Sequence, residues 1–347
     1  MATEVVKVVD PDNGEGTDYT SLSAWEAGEQ RDLVSADEIA VAKCRCTGGS
    51  ADTDAVIIDG WTTDADRYIK IWTDPNEGYR HDGKWNSNKY RLEVSASSDT
   101  IRIVEDYVRL HGLQISHDYN GDGQAIQIET ATLGEIQISH CIIRATNTTG
   151  NTKEAIISFA DNDIKIWNTI IYDFYNDGNS KGILLAYGMS ATAYVYNVTI
   201  YNCNYGLRNN SGTGGTILAK NVLVQDCDDG FYGSFHSDSD YNISDISGDA
   251  PGSNSKTCTV SFVDEANDDF HLASSDTCAK DSGVDLSSDP NLAFSDDIDG
   301  ETRPGGTAWD IGADEYVTEE EEEIELIPIA YERATMRGIS RGIGRGM

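Results

Sequence analysis

A polar residue that separates two short apolar strands recurs through the middle of the chain at intervals of roughly 21 to 29 residues. Apolar residues stand four and two places before it, and others follow it, so each repeat reads strand, turn, strand. A fixed repeat, with alternation of period two and no helical period, is typical of a solenoid whose coils bury their apolar faces on one another. The members of this turn column are Gly112, His140, Asn168, Asn197, Asn221 and, with a poorer fit, Asn242.

A second column supports the same register, because a small residue begins another apolar strand further along each repeat. Its members are Ala125, Ala155, Gly182, Gly206 and Gly230. Together the two columns predict an all-β fold, a right-handed parallel β-helix. Coils of such a helix lie about 4.8 Å apart and place like residues above like. We therefore expect Asn168, Asn197 and Asn221 to form a structural ladder rather than to contact a ligand.

The N-terminal residues predict a strand over residues 5–9, a turn rich in Gly and Asp, and a short helix capped by Ser21. A helix in this place would plug the open end of the solenoid. The segment from Asp12 to Leu22, DNGEGTDYTSL, resembles the opening of pectin-lyase-like β-helix proteins, which include pectin methylesterases. Residues 303–316, RPGGTAWDIGADEY, are similar to the closing piece of β-helix repeat proteins encoded by phages and bacteria. The resemblance implies the fold.

The chain divides into three parts: residues 1–36 (strand and cap), 37–316 (the β-helix body with its closing piece) and 317–347 (an acidic linker and a tail). The tail combines apolar residues with an arginine at every fourth position. Such a segment cannot bury its own apolar surface, so it either stays a solubilising tail or, as its apolar content favours, docks on another chain. The predicted partner-binding residues are Ile324, Leu326, Ile327, Ile329, Arg333, Arg337, Arg341 and Arg345.

Charge and hydropathy exclude several partners. The 60 acidic and 25 basic residues give a formal net charge of −35, which repels nucleic acid and anionic lipid. No apolar run reaches the ~20 residues of a membrane span, and the residues after Met1 lack a signal peptide. We therefore expect a product of the host cytoplasm that has no membrane or nucleic-acid partner, no cofactor and no metal, and that can form a homo-oligomer.

The cysteines number seven, without the spacing of a metal site. Cys203 and Cys227 each follow a turn asparagine by six residues, which places them on adjacent coils as a disulfide or as two stacked thiols. Stacked thiols are favoured for a cytoplasmic product. Cys258 and Cys278 can also pair, although no feature of the sequence determines their distance.

Catalytic candidates are few. Asp173 and Asp226 each follow a turn asparagine by five residues, two coils apart, with Asp229 nearby. Backbones about 10 Å apart suit an inverting hydrolase, whose carboxyl groups are about 6.5–9.5 Å apart. In so acidic a chain, however, aligned aspartates arise by chance, and this interpretation is favoured. Neither a methylesterase nor a lyase constellation is recognisable.

Four tryptophans can stack on sugars or simply pack between loops. They are Trp61, Trp72, Trp85 and Trp167.

These observations favour a structural or adhesion protein, namely a phage virion component such as a head decoration, fibre or spike. Its C-terminal tail would anchor it to other virion proteins, and its body could contact glycans. The alternative is a polysaccharide-degrading lyase or hydrolase on the same β-helix fold. Without a convincing catalytic set, we expect no strong lyase or hydrolase turnover.

Overall fold

The computed structural model describes residues 2–129, 134–147, 151–176, 178–186, 190, 192–212 and 214–318. One compact unit comprises Met1–Val317. The predicted partner-binding residues, Ile324 to Arg345, lie outside the described residues, and their role stays a prediction. No described helix has the length and apolarity needed to cross a membrane.

The described elements are two short helices and a long series of strands. In chain order they are β1 (Thr3–Val9), α1 (Leu22–Glu29), α2 (Leu33–Ala36), β2 (Glu38–Cys44), β3 (Val56–Ile58), β4 (Ile69–Trp72), β5 (Arg91–Val94), β6 (Asp99–Ile103), β7 (Val108–His111), β8 (Gln114–His117), β9 (Gly123–Ile128), β10 (Glu135–Ser139), β11 (Ile142–Ala145), β12 (Lys153–Ser158), β13 (Asp163–Tyr172), β14 (Lys181–Leu185), β15 (Thr192–Tyr201), β16 (Tyr205–Asn209), β17 (Thr216–Lys220), β18 (Leu223–Gln225), β19 (Asp229–Tyr232), β20 (Ile243–Ser244), β21 (Lys256–Thr257), β22 (Phe262–Asp264) and β23 (Asp269–Leu272).

The strands pair in parallel from coil to coil, which confirms the predicted β-helix. A 14-stranded sheet contains two faces of each coil, because β13 and β15 run through the turn column without a break. Face A consists of the strands before the turn column (β2, β4, β7, β10, the first halves of β13 and β15, and β17), and face B of those after it. Face C is a seven-stranded sheet in the order β19-β16-β14-β12-β9-β6-β3.

The turn column has the left-handed backbone conformation. The φ angles are 73° at Gly112, 52° at His140, 45° at Asn168, 49° at Asn197 and 54° at Asn221. Glycine adopts this conformation freely, and Asn and His are enriched there among other residues. The conformation explains why these residue types stand between two apolar strands.

The position assigned to Asn242 is wrong by one residue. Leu223 pairs with Ile243, so Asn242 lies beside Val222 rather than beside Asn221. Tyr241, with a φ of 57°, takes the turn position instead. Asn242 is nevertheless fully buried, and its Oδ1 accepts a hydrogen bond from the Val222 N–H at 3.0 Å. The last repeat, from Asn221 to Tyr241, is therefore one residue shorter than an alignment on Asn242 gives.

Side chains of the turn column hydrogen-bond along the axis in two places. Asn221 Nδ2 donates to Asn197 Oδ1 at 3.0 Å, and Asn168 Nδ2 lies 3.2 Å from His140 Nε2. The turn asparagines also form hydrogen bonds with residues 256–316, hereafter the closing segment. Asn168 donates to the carbonyl of Asp296 at 2.9 Å. The ladder thus fastens the C-terminal part of the body as well as the coils.

Asn197 and Asn221 make the tightest junction with the closing segment. Asn197 Nδ2 donates to the carbonyls of Asp310 and Gly312, both at 3.0 Å. Asn221 exchanges two hydrogen bonds with the backbone of Val284, at 2.8 and 2.9 Å. Both amides are fully buried. Each amide therefore satisfies backbone groups that no strand partner serves.

Two apolar clusters lie on opposite sides of face B. Inward residues such as Ile115, Ile143 and Ile171 fill the bore of the coil. Outward residues of face B pack instead against the closing segment in a second cluster that includes Ile142, Ile170, Leu223, Phe262, Phe270, Leu272, Ile298 and Ile311. Ile170 pairs in register with Thr199 and faces this second cluster rather than the bore.

The N-terminal cap forms as predicted. Ser21 is the N-cap of α1, and its side chain accepts a hydrogen bond from the Ala24 N–H at 3.2 Å. Trp25 is fully buried and stacks on Trp61 with ring centroids 5.6 Å apart. A second short helix, α2, which the sequence did not reveal, follows directly. Together α1 and α2 cover the first coil.

The cysteines divide between the two apolar clusters. Cys258 and Cys278 form a disulfide within the closing segment. Cys203 and Cys227 are free thiols, the interpretation favoured from the sequence. A covalent link therefore ties the beginning of the closing segment to its middle.

We expect Asn197→Ala to destabilise the protein more than Asn202→Ala. Both residues have left-handed backbones, with φ of 49° and 51°, so the backbone strain introduced by alanine is matched. Of the two, Asn197 alone donates to buried carbonyls of the closing segment, and each lost hydrogen bond costs about 0.5–1.5 kcal/mol although Arg303 still donates to both carbonyls. Urea denaturation should show a difference of at least about 1 kcal/mol. Equal destabilisation would contradict the ladder's role in fastening that segment.

We expect Asp52 to make stability depend on pH. Its Oδ2 accepts hydrogen bonds from the Leu22 N–H at 2.7 Å and the Tyr90 hydroxyl at 3.1 Å, and burial raises the pKa of Asp52 to about 6. Folding therefore favours the protonated carboxyl, so its contribution is complete below the unfolded pKa of about 3.9 and is lost as pH rises through about 6.

The shift corresponds to a loss of up to about 3 kcal/mol between about pH 4 and pH 7. Asp52→Asn should remove this component, measured as the difference in unfolding free energy between wild type and variant across that range. The exposed Asp66, which is not among the groups that shift the pKa of Asp52, supplies the control, Asp66→Asn. A difference that does not change with pH would show that Asp52 is not buried in this way.

Candidate functional site

The predicted catalytic aspartates lie at a second left-handed column, where face B ends. The φ angles are 65° at Asp173, 51° at Asn202 and 57° at Asp226, on successive coils. Asn202 Nδ2 donates to Asp173 Oδ1 at 2.7 Å, so an amide stands between the two carboxylates. Asp229 begins β19 on face C, beyond that turn. The turn conformation alone explains an Asn/Asp column here.

Asp173 lines a groove at this column. This shallow groove has a volume of about 330 Å³, and its lining residues are Arg144, Ala145, Thr146, Asp173, Tyr175 and Asn202. Burial raises the pKa of Asp173, which would suit a proton donor. The described lining contains no second carboxylate to act as the base. The inverting-hydrolase hypothesis for Asp173 and Asp226 therefore stays a prediction.

A different surface, the outside of face A, brings together cations and aromatic rings. Strands β4, β7, β10 and β13 point alternate side chains outward in register, in two neighbouring columns. The first column is Lys70, Arg109, Gln137 and Lys165. The second is Trp72, His111, Ser139 and Trp167. Inward neighbours such as Ile71 and Leu110 fill the bore, so alternation alone aims these side chains at solvent.

The two columns form the floor of a groove of about 220 Å³, here called the face A groove. Its lining residues are Tyr68, Lys70, Trp72, Arg109, Leu110, His111, Gln137, Ser139 and Trp167. Trp72 and Trp167 stand at opposite ends, separated by the strands β7 and β10. Three strand spacings of about 4.8 Å place the two rings about 14 Å apart along the axis. This length admits a polymer rather than a single small ring.

Two cations of the face A groove, Lys70 and Arg109, are not held in close ion pairs. In the described part of the chain, neither Lys70 nor Arg109 forms an ion pair, although the net charge is −35. Lys70 Nζ lies 3.7 Å from the Trp72 ring centroid, and Arg109 Cζ lies 3.4 Å from that of Tyr68. Burial lowers the pKa of Lys70. Lys165, by contrast, pairs with Glu135 at 2.6 Å.

A serine and a histidine in the groove do not form a nucleophilic pair. His111 Nδ1 lies 2.7 Å from Ser139 Oγ, and Arg80 Nη1 donates to His111 Nε2 at 3.0 Å. Because arginine can only donate, Nε2 is unprotonated and the proton of the neutral ring is on Nδ1. Burial lowers the pKa of His111 to about 2, which keeps the ring neutral. His111 therefore donates to Ser139 and cannot take its proton.

The closing segment ends the groove. Phe294 packs 6.4 Å from Trp167 and 5.3 Å from Trp309, measured between ring centroids. Beyond this point the outward side chains of face A, including Tyr196 and Leu218, are buried under closing-segment residues. Face A is therefore open over β4, β7, β10 and β13 and covered afterwards. The sequence named Trp72 and Trp167 as possible sugar contacts, but it missed Lys70 and Arg109.

No family model and no curated protein matches this sequence. Among solved structures, pectate lyase Pel9A is 13% identical, with a TM-score of 0.41 and coverage of 91% of this chain and 97% of that chain. A pectin methylesterase from Aspergillus niger is 10% identical, with a TM-score of 0.37 and coverage of 76% and 93%. These similarities concern the fold, and the coil described above agrees with the predicted pectin-lyase-like architecture.

Proposed function

We propose that this protein binds an acidic polysaccharide in the face A groove. The observation that carries the proposal is the pair of unpaired cations, Lys70 and Arg109, between Trp72 and Trp167 on a chain of net charge −35. Sugar rings stack on aromatic side chains, and carboxylates form charge-assisted hydrogen bonds with Lys and Arg. A polymer of sugar rings that carry carboxylates can therefore contact the cations of the first column and the aromatic rings of the second.

Charge density supports a polysaccharide over nucleic acid. Double-stranded DNA carries one negative charge per about 1.7 Å, so a long segment would meet the acidic surface around the groove. Carboxylates spaced one per sugar would instead meet a few local cations. The surface beside the groove is acidic. Glu135 and Asp163 lie on β10 and β13, two residues before Gln137 and Lys165 respectively. The groove therefore suits a ligand of moderate charge density.

Glycan binding is also what an adhesion protein would require of its body. The virion anchor, by contrast, depends on residues 324–345, which lie outside the described residues. The virion role, the homo-oligomer and partner docking through the tail stay predictions. The polysaccharide alternative is supported by the face A groove, whose lining residues all belong to the described part of the chain.

A second candidate function is cleavage of the bound polymer by β-elimination. In this reaction a base removes the proton next to a sugar carboxylate, a C=C bond forms, the C–O bond to the neighbouring sugar breaks, and the departing oxygen takes a proton from water. Burial, and then the charge of Arg109, lower the pKa of Lys70, which favours the neutral amine that a base requires. Arg109, one strand away, can neutralise the substrate carboxylate.

We expect polyuronates to bind the wild-type protein and neutral polysaccharides of equal length not to bind, measured by titration calorimetry at low salt. Arg109→Gln and Trp72→Ala should each weaken binding about tenfold or more, because each removes a charged or stacking contact. Added salt should weaken binding in wild type more than in Arg109→Gln.

Arg102→Gln provides a control of equal charge change, because Arg102 lies outward on face C and pairs with Glu129. This variant should bind like wild type. Binding that Arg102→Gln and Arg109→Gln weaken equally would reflect net charge rather than the groove. Equal binding of neutral polymers would also contradict the proposal.

For elimination, we expect wild type to generate unsaturated products, detected by ultraviolet absorbance, at a rate that rises as Lys70 deprotonates. Lys70→Arg should keep polysaccharide affinity, because the charge remains, yet lose elimination, because a guanidinium does not deprotonate. Binding without product in wild type would leave polysaccharide binding as the function and exclude elimination on that polymer.

A further inference from the structure

A second cluster of side chains with ligand character lies in the closing segment, apart from the face A groove. His271 on β23, Asp299 and Asp314 each offer one donor atom, and these atoms lie within 4.8 Å of one another. The three residues are far apart in sequence and form no motif, so the sequence predicted no metal. We infer that this cluster binds one divalent transition-metal ion of the zinc type.

The orientation of His271 suits a metal ligand. Asp269 Oδ1 lies 2.6 Å from His271 Nδ1, and Lys84 Nζ holds the other oxygen of Asp269 at 3.1 Å. This contact turns Nε2 toward the carboxylates, where it lies 2.9 Å from Asp299 Oδ2. Metal-bound histidines commonly donate their other ring nitrogen to a carboxylate in this manner. Without a metal, a proton on Nε2 bridges to Asp299.

One carboxylate oxygen of the cluster is buried without a partner, and a second carboxylate beside it is largely buried. Asp314 is only 5% exposed; its Oδ2 accepts from the Leu272 N–H at 2.7 Å, and no donor among the described residues bonds its Oδ1. Asp299 Oδ1 is buried and has no hydrogen-bond partner. A buried carboxylate oxygen without a partner is costly, and a cation between these groups would satisfy Asp299 Oδ1 and neutralise both carboxylates.

The donor set indicates the class of ion. One imidazole nitrogen and two carboxylate oxygens are ligands typical of Zn²⁺, whereas Ca²⁺ and Mg²⁺ prefer oxygen alone. Nearby cations do not replace the ion: Lys84 is engaged by Asp269, and Arg303 is paired with Glu315 at 2.8 Å. Three protein ligands leave a fourth position for water, and His271 is partly exposed, which provides access.

The test uses the full chain after dialysis against a chelator. Calorimetric titration with Zn²⁺ should show one ion per chain and a higher melting temperature, and Ca²⁺ at the same concentration should give no saturable binding. Asp299→Asn and Asp314→Asn should abolish saturable Zn²⁺ binding. Asp285→Asn, an exposed position in the same segment, should bind like wild type.

Two further measurements keep the result independent of stability. Asp269→Asn, which leaves the three ligands in place, should lower affinity about 10- to 100-fold. Co²⁺ should produce visible absorption bands that His271→Asn changes, with the folding of each variant checked by its metal-free melting curve. No saturable binding of Zn²⁺ by wild type, or unchanged affinity in folded Asp299→Asn and Asp314→Asn, would overturn the inference.

Discussion

Parallel pairing of each coil with the next is the constraint on which the rest of the structure depends. It pairs the backbones of the strands within the coil and stacks side chains of equal position, so the Ile and Val columns fill the bore. The same stacking acts on polar positions. It brings the turn asparagines within hydrogen-bond distance, and it aligns Lys70 with Arg109 outside the bore.

The closing segment is held in place by hydrogen bonds from the turn column. Asn197 and Asn221 serve its backbone, while outward residues of face B, such as Ile170, give it an apolar surface to cover. Hydrogen bonds and apolar packing thus both hold the closing segment on the coil.

The coil was predictable from the sequence because its signals are local. Strand alternation and left-handed turn residues repeat within each coil, so the columns through Asn221 could be aligned from sequence alone. The last repeat is shorter and carries Tyr241 at its turn, which hid the correct register of Asn242. The groove was not predictable, because Lys70, Arg109 and Gln137 differ in type and show no repeat. The path of the closing segment, which brings His271 to Asp314, depends on contacts between distant residues.

Coverage by the closing segment decides which outer surfaces remain for a ligand. Where it crosses face A, the outward residues are Tyr196 and Leu218, whose burial is favourable. Over the earlier strands the outward residues are Lys70 and Arg109, and burying an unpaired cation there would be costly. An acidic chain could have paired them with its own carboxylates, as it pairs Lys165 with Glu135. Their lack of ion-pair partners, on a stretch of face A that the closing segment leaves open, is the reason to expect that an anionic partner comes from outside.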